Sequence, residues 1–443
     1  MRIAQVAPLA ESVPPSLYGG TERVIHWLTE ELIQQGHEVT LFGTGDSLTN
    51  AKLIPVWPRA LRLGRPRSDP IVAAASALEI LSLHAQEFDI IHSHGDWCYL
   101  PLLTRLGVPF VTTLHGRLDI VGVPELTSMI SQAPFVSISN DQRSPLPNAN
   151  WAATIYHGFP PDWLRPSLGP GQYLAFLGRL APEKGPEPAI RIARAANMQL
   201  RIAAKIPRGE RGYFTERLQP MIDGNQTRLI GEVNDASKQK FLGSAAALLF
   251  PIDWPEPFGL VMIEAMACGT PVIAFRRGSV PEVIEHGVSG FIVEDEAEAI
   301  QAVQRLSELD RRKVRASFER RFSASEMARK YISCYKKVAA EVRPDHTTHT
   351  NVAVEQVDAL DAPQIGFTSH RFGSSGVARP GREGDANEYD AARVVNDELH
   401  PIVRGANTHD RKTFGRLRRS SSEDRQQLQS LSTSFRFTWR SPC

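Results

Sequence analysis

The sequence predicts an α/β protein made of two doubly wound, Rossmann-like domains that face each other across a cleft. Three observations lead there. Short apolar runs alternate with amphipathic helical stretches, which implies parallel sheets covered on both faces. The series pauses in a Pro- and Gly-rich segment around Tyr156 to Pro170 and then restarts. The chain has 443 residues, too many for one ordinary core.

The elements follow in order. Arg2 to Pro8 reads as a buried strand, followed by a loop ending in Tyr18-Gly19-Gly20-Thr21-Glu22. Val24, Ile25, Leu28, Leu32 and Ile33 mark one face of a helix that Gly36 closes. Val39 to Phe42 is the next strand, Ile71 to His84 a helix, and Ile90 to His92, Val108 to Leu114 and Phe135 to Ser139 further strands. After the linker come a strand at Tyr173 to Leu177, the loop Gly178 to Gly185 and a helix at Pro188 to Ala196. Strands follow at Leu200 to Ala204, Thr227 to Ile230 and Ala246 to Phe250. A short strand near Phe291 to Val293 and helices to about Ala340 complete the series. The expected divisions are residues 1–165, 166–322, a helical segment in 323–342, and a tail of 343–443. The tail is rich in Arg, Ser, Asp, His and Gly with sparse aliphatics. It cannot offset the entropy of ordering and is expected to be disordered.

Charge is balanced, with 50 basic and 49 acidic residues, which gives no field to attract nucleic acid. Cys98, Cys268, Cys334 and Cys443 lie scattered without metal or redox spacing. A reducing cytoplasm fits that usage. The first residues are too short an apolar stretch for a signal peptide, and no apolar run would span a bilayer. Membrane contact, if made, would be peripheral. The basic run Arg59, Arg62, Arg65, Arg67 reads as a solvated loop, with an anionic acceptor or a membrane surface as the alternatives.

The most informative stretch runs from Pro255 to Pro271. Glu256 lies on a loop, and Glu264, eight positions on, lies on a helix that Cys268-Gly269-Thr270-Pro271 stops. Apolar strands flank both. A carboxylate beside a helix start, at the carboxyl end of a parallel strand, stands where α/β proteins bind nucleotides. By spacing alone the pair also fits two-carboxylate glycoside chemistry. Arg179 and Lys184 bracket the loop after the first strand of the second domain, where a guanidinium and an ammonium can neutralise a diphosphate. Gly19-Gly20 lets a backbone or a phosphate come close, although it lacks the three glycines of a dehydrogenase fingerprint. His115, before Gly116, ends a strand facing the cleft. His92, His94 and Asp96 end the preceding strand, where cleft lining and local hydrogen bonding are a simpler account than a metal.

Together these motifs resemble the retaining glycosyltransferases of family 4, which have the GT-B fold. Glu256 to Glu264 matches the Glu-x7-Glu signature, Gly178 to Gly185 the Gly-Arg-x4-Lys-Gly loop, Gly19-Gly20 the N-terminal loop, and His115-Gly116 the His-Gly after a strand. The resemblance covers residues 1 to about 340. It implies a nucleotide-sugar donor, a hydroxyl acceptor and no separate cofactor or metal. It assigns Glu264 to the ribose hydroxyls, and Glu256 to the donor sugar with help from the backbone at Phe258, Gly259 and Leu260. Arg179 and Lys184 would stabilise the leaving diphosphate, Gly20 would let its backbone approach the phosphates, and His115 would lie near the transferred sugar. Retention by front-face attack would need no protein nucleophile. The resemblance also implies a C-terminal helix crossing back to the first domain, for which Ser323 to Ala340 is the candidate. His157-Gly158 departs from the Asn-Gly of many relatives.

Two other readings stay open: a sugar-nucleotide epimerase or hydrolase on the same architecture, and a non-catalytic nucleotide-sugar-binding protein. Truncation after residue 342 is expected to leave both activity and melting temperature unchanged. Loss of either in the shortened chain would mean that the tail is structural.

Overall fold

The computed structural model describes residues 1–16, 19–95 and 97–342, apart from the side chains at 236 and 342. The expectations for the 343–443 tail, for Asp96 and for Tyr18 lie outside these residues. Among the described residues thirteen strands form two sheets, in which every pairing is parallel. The first holds β1 (Arg2–Val6), β2 (Glu38–Thr44), β3 (Lys52–Trp57), β4 (Ile90–Ser93), β5 (Phe110–Thr113), β6 (Phe135–Ser137) and β7 (Trp151–Thr154), in the order β3-β2-β1-β4-β5-β6-β7. The second holds β8 (Tyr173–Arg179), β9 (Leu200–Lys205), β10 (Thr227–Gly231), β11 (Ala245–Phe250), β12 (Val272–Phe275) and β13 (Gly290–Val293), in the order β10-β9-β8-β11-β12-β13.

Each order reverses once, between β1 and β4 and between β8 and β11. At such a switch the two neighbouring crossovers leave in opposite directions, and the carboxyl ends of the strands open into a crevice. The central strands are apolar on both faces because helices cover both. Ile3, Ala4, Ile90 and Ile91 in the first sheet, and Leu174, Ala175, Leu248 and Leu249 in the second, are buried. Strands β3 and β7 were missed by the sequence reading. Pro55 interrupts the first and the second is only half-buried, so neither carries a clean apolar run.

The linker is not a loose tether. Phe159 and Leu164 are fully buried, and Phe159 packs against Trp27, Trp163 and Phe318 at centroid distances of 5.2, 4.9 and 4.6 Å. Arg315 donates to the carbonyls of Pro161, Leu164 and Ala267, and Arg311 to those of Ser167, Gly243 and Ala245. These two guanidiniums staple the linker to the second domain.

The last helix, Ala324–Val342, lies against the first sheet. Its Tyr335 hydroxyl meets Gln5 and His92, and its Tyr331 hydroxyl meets Thr113 at 2.9 Å. Across the opposite face of the junction, Glu282 accepts from the backbone of Asn140 (2.7 Å) and Asp141 (2.8 Å) and from the Tyr156 hydroxyl (3.0 Å). Among the described residues no helix is long and apolar enough to cross a membrane.

Candidate active site

The loops after β8 and β11 meet at the switch point of the second sheet. Arg179 ends β8, and Pro182–Lys184 makes a single turn before the helix Pro186–Ala195. Gly185 sits between them at φ +71°. A Cβ there would fall 1.9 Å from the Pro251 carbonyl oxygen, so glycine is required for the two loops to touch. Asp253 donates its N–H to the Glu183 carbonyl at 2.9 Å and closes the contact.

This approach brings together residues 72 positions apart. Lys184 Nζ donates to Glu256 Oε2 at 2.5 Å, and the indole Nε1 of Trp254 donates to the same oxygen at 2.7 Å. The ammonium also lies 4.1 Å from the centre of the Trp254 ring. Lys184 and Glu256 are 16 and 14% exposed, so the charges are held in a poorly hydrated place. Burial lowers the Lys184 pKa, and the Glu256 carboxylate offsets part of that. Arg179 is more open and donates to Glu183 at 3.3 Å.

Gly259, at φ +77°, precedes the helix Leu260–Ala267, and the first N–H groups of that helix have no partner within it. Glu264 projects from the helix with 9% of its side chain exposed, and Lys238 Nζ holds its Oε1 at 2.7 Å. The Phe258 side chain is buried and packs on Tyr156, His157 and Phe322, so only its backbone is available to a ligand. Gly20, the first residue of the helix Gly20–Gln34, faces this region directly. A Cβ on Gly20 would lie 3.3 Å from Leu260 Cδ1, which puts the two predicted glycine motifs on opposite walls of one cleft. Gly19 fits closely between Pro15 and the Glu22 carboxylate.

On the first domain's side a cavity of about 270 Å³ opens at the ends of β4 and β5. Thr21, His94, Trp97, Thr113, His115 and Arg117 are among its walls. Arg117 reaches the second domain, with its guanidinium 5.5 Å from the Trp254 ring. Behind the cavity lies a histidine cluster. His94 meets His115 Nε2 at 2.8 Å and Gln5 Oε1 at 2.8 Å, and His115 stacks on His157 at 5.2 Å. His92 bonds to Tyr335 and Thr113 at 2.6 Å each. Those local hydrogen bonds match the sequence reading, but His92 is fully buried and does not line the cleft, which corrects the rest of it. The basic run also needs correcting at Arg62, which pairs with the buried Glu11.

Two family profiles match the chain. "Glycosyltransferase Family 4" covers residues 18–157, and "Glycosyl transferases group 1" covers 167–326. The chain belongs to the family 4 glycosyltransferases. An uncharacterized glycosyltransferase of Methanocaldococcus jannaschii is 26% identical, covering 65% of this chain and 85% of its own. The D-inositol 3-phosphate glycosyltransferase of Mycolicibacterium smegmatis is 25% identical over 74% of this chain and 88% of its own. Among solved structures, a glycosyltransferase involved in avilamycin A biosynthesis aligns at TM-score 0.58 and 25% identity, covering 76% of this chain and 98% of its own. HepE of Anabaena, in complex with UDP and glucose, aligns at TM-score 0.59 and 18% identity, covering 76% and 100%. The fold is GT-B.

Several residues of this glycosyltransferase's cleft escaped the sequence reading. Trp254 was within reach, two positions before Glu256 in the same loop. Lys238, Asp235, Arg23 and Glu282 each sit on a helix where a charge reads as solvated surface, and only the fold brings them to the cleft or the domain junction.

The histidine cluster sets a pH dependence. Burial lowers the pKa of His92, His94, His115 and His157, that of His115 to about 3. Each therefore stays neutral in the folded protein while its unfolded counterpart takes up a proton below about pH 6.5. Their contribution is complete above the unfolded pKa and is lost as pH falls toward the folded values. The expected loss is at most about 1.4 kcal/mol per pH unit for each histidine. Urea midpoints should fall between pH 7.5 and 5.5, a window in which unfolded carboxylates stay ionised. Replacing His92 with Asn should flatten that slope; an unchanged slope would show that His92 does not contribute to it.

Proposed function

We propose that this glycosyltransferase moves a sugar, with retention, from a nucleoside-diphosphate sugar to a hydroxyl acceptor such as a glycan, a glycolipid or a small glycoside. The observation that carries the proposal is the Lys184–Glu256 pair at the switch point, with Glu264 one helix start further on. The ribose would bond to Glu264, since a carboxylate accepts both hydroxyl hydrogens. The diphosphate would take Arg179 and Lys184, and the sugar hydroxyls would take Glu256 and the N–H groups near Gly259 and Leu260. The UDP and glucose held by HepE, a protein of the same fold, support this choice of donor class.

The acceptor would enter the cavity beside His115. Its hydroxyl oxygen bonds to the anomeric carbon on the face the phosphate is leaving. The bond from that carbon to the phosphate oxygen breaks with both electrons going to oxygen, and the same phosphate takes the acceptor proton. Arg179 and Lys184 stabilise the charge that develops there, the task that commonly dominates such catalysis. In this reading two cations do what a divalent metal does elsewhere, so neither metal nor cofactor takes part.

Glu256→Gln keeps the side chain's shape and removes its charge. It is expected to lower transfer by about 10²-fold or more with little change in melting temperature, and Lys184→Ala should do the same. Transfer should survive a chelator. Near wild-type rates in either variant, or a strict loss that only a divalent ion reverses, would sink this assignment. A screen of nucleotide sugars for thermal stabilisation identifies the donor, because a ligand that binds the folded state raises its melting temperature.

A further inference from the structure

Glu264 is the less explained of the two acids. It lies on a buried helix, yet its charge is compensated from another helix, Asp235–Gly243, by Lys238 Nζ at 2.7 Å. Lys238 is itself 13% exposed and lies 3.9 Å from Asp235 one turn earlier. Asp235 in turn accepts from Arg23 Nη1 of the first domain at 2.5 Å. Arg23 follows the Gly19-Gly20 turn by three residues. Both cations also lean on one ring, Trp163 of the linker, at 5.8 Å for Arg23 and 5.1 Å for Lys238. Alternating charges thus run Arg23, Asp235, Lys238, Glu264 from the first domain into the proposed ribose site.

We infer that Lys238 is a positioning residue for donor recognition, and that Arg23, acting through Asp235 and Trp163, makes this positioning depend on the first domain. The inference rests on the ribose role proposed for Glu264. Lys238 holds Oε1, while Oε2 carries no hydrogen bond among the described residues and is left for a ligand. Lys238 therefore fixes the direction of Glu264 through Oε1. Arg23 and Trp163 fix Lys238, so the ribose is read best when the two walls of the cleft are together.

The test separates ribose recognition from general damage. Binding of UDP, GDP and ADP to the full chain is measured by calorimetry, each against its 2′,3′-dideoxy form. The wild-type protein should prefer the hydroxylated form of its own nucleotide by about tenfold or more, the effect of losing hydrogen bonds to a charged acceptor. Lys238→Met should reduce that preference to less than about threefold, and Lys238→Arg should restore most of it. Arg23→Gln should give an intermediate ratio, even if it weakens both forms through the phosphates. A merely structural lysine would lower both affinities and leave the ratio alone. A wild-type protein that treats the paired nucleotides alike overturns the ribose role of Glu264, and the inference with it. Preference kept in Lys238→Met, with wild type discriminating, overturns the inference alone. Preference kept in Arg23→Gln overturns the link to the first domain.

Discussion

The molecule depends on a backbone exchange where the chain crosses twice between its domains. Phe159 donates its N–H to the Phe322 carbonyl at 3.1 Å, and its own carbonyl accepts from Ala324 at 3.0 Å. Gly158 makes the approach possible, since a Cβ there would fall 2.4 Å from the Ser323 carbonyl oxygen. One crossing segment is then stapled to the second domain by Arg311 and Arg315, and the other continues into the helix that packs on the first sheet. Two covalent connections joined side by side restrict how the sheets move. The carboxyl ends of β1, β4 and β5 consequently face those of β8 and β11, and no residue of the cleft has to create that alignment.

Within the cleft the same solution is used twice. Glu256 and Glu264 each sit in a place with little water and each is met by a lysine, at 2.5 and 2.7 Å. An unpaired carboxylate there would be a charge with little water and no compensating partner. Pairing sets each acid against a cation before any ligand arrives, at the cost of stripping water from four charged groups. On the proposed reading a diphosphate would then compete with Glu256 for Lys184, and sugar hydroxyls would make up to Glu256 what it loses. The exchange of partners costs little because neither side returns to bulk water.

How much of this was legible follows from which interactions are local. The alternation of apolar runs and amphipathic helices is written residue by residue, so the two-sheet fold could be read directly. The Glu256–Glu264 run and the Gly178–Gly185 loop each lie within one loop and one helix start, so they too carry a readable pattern. Lys238 carries none. Its flanking residues in sequence, Ser237, Gln239 and Lys240, are polar, and its meaning comes from a helix 26 positions away. Arg23 and Glu282 were hidden for the same reason, since their partners lie 212 and 142 positions off. The His92 misreading has a related cause. The chain shows a histidine at a strand end, but not that Tyr335 would arrive from residue 335 to cover it.

The histidine cluster also bears on where the acceptor proton goes. His115 lines the cavity together with His94, and stands close to His157 and through it the Phe258 packing. A histidine so placed invites the role of general base. Its pKa of about 3 argues otherwise, because a group that holds a proton so weakly gives little driving force for taking one from a sugar hydroxyl at neutral pH. Lowering comes from burial, so the cluster that stabilises this wall of the cleft is the same one that removes its basicity. His115 is then suited to orienting hydroxyls as a neutral ring. On the proposed reading the phosphate oxygen, gaining charge as its bond to the sugar breaks, would be the stronger base within reach, with Arg179 and Lys184 to hold it in place.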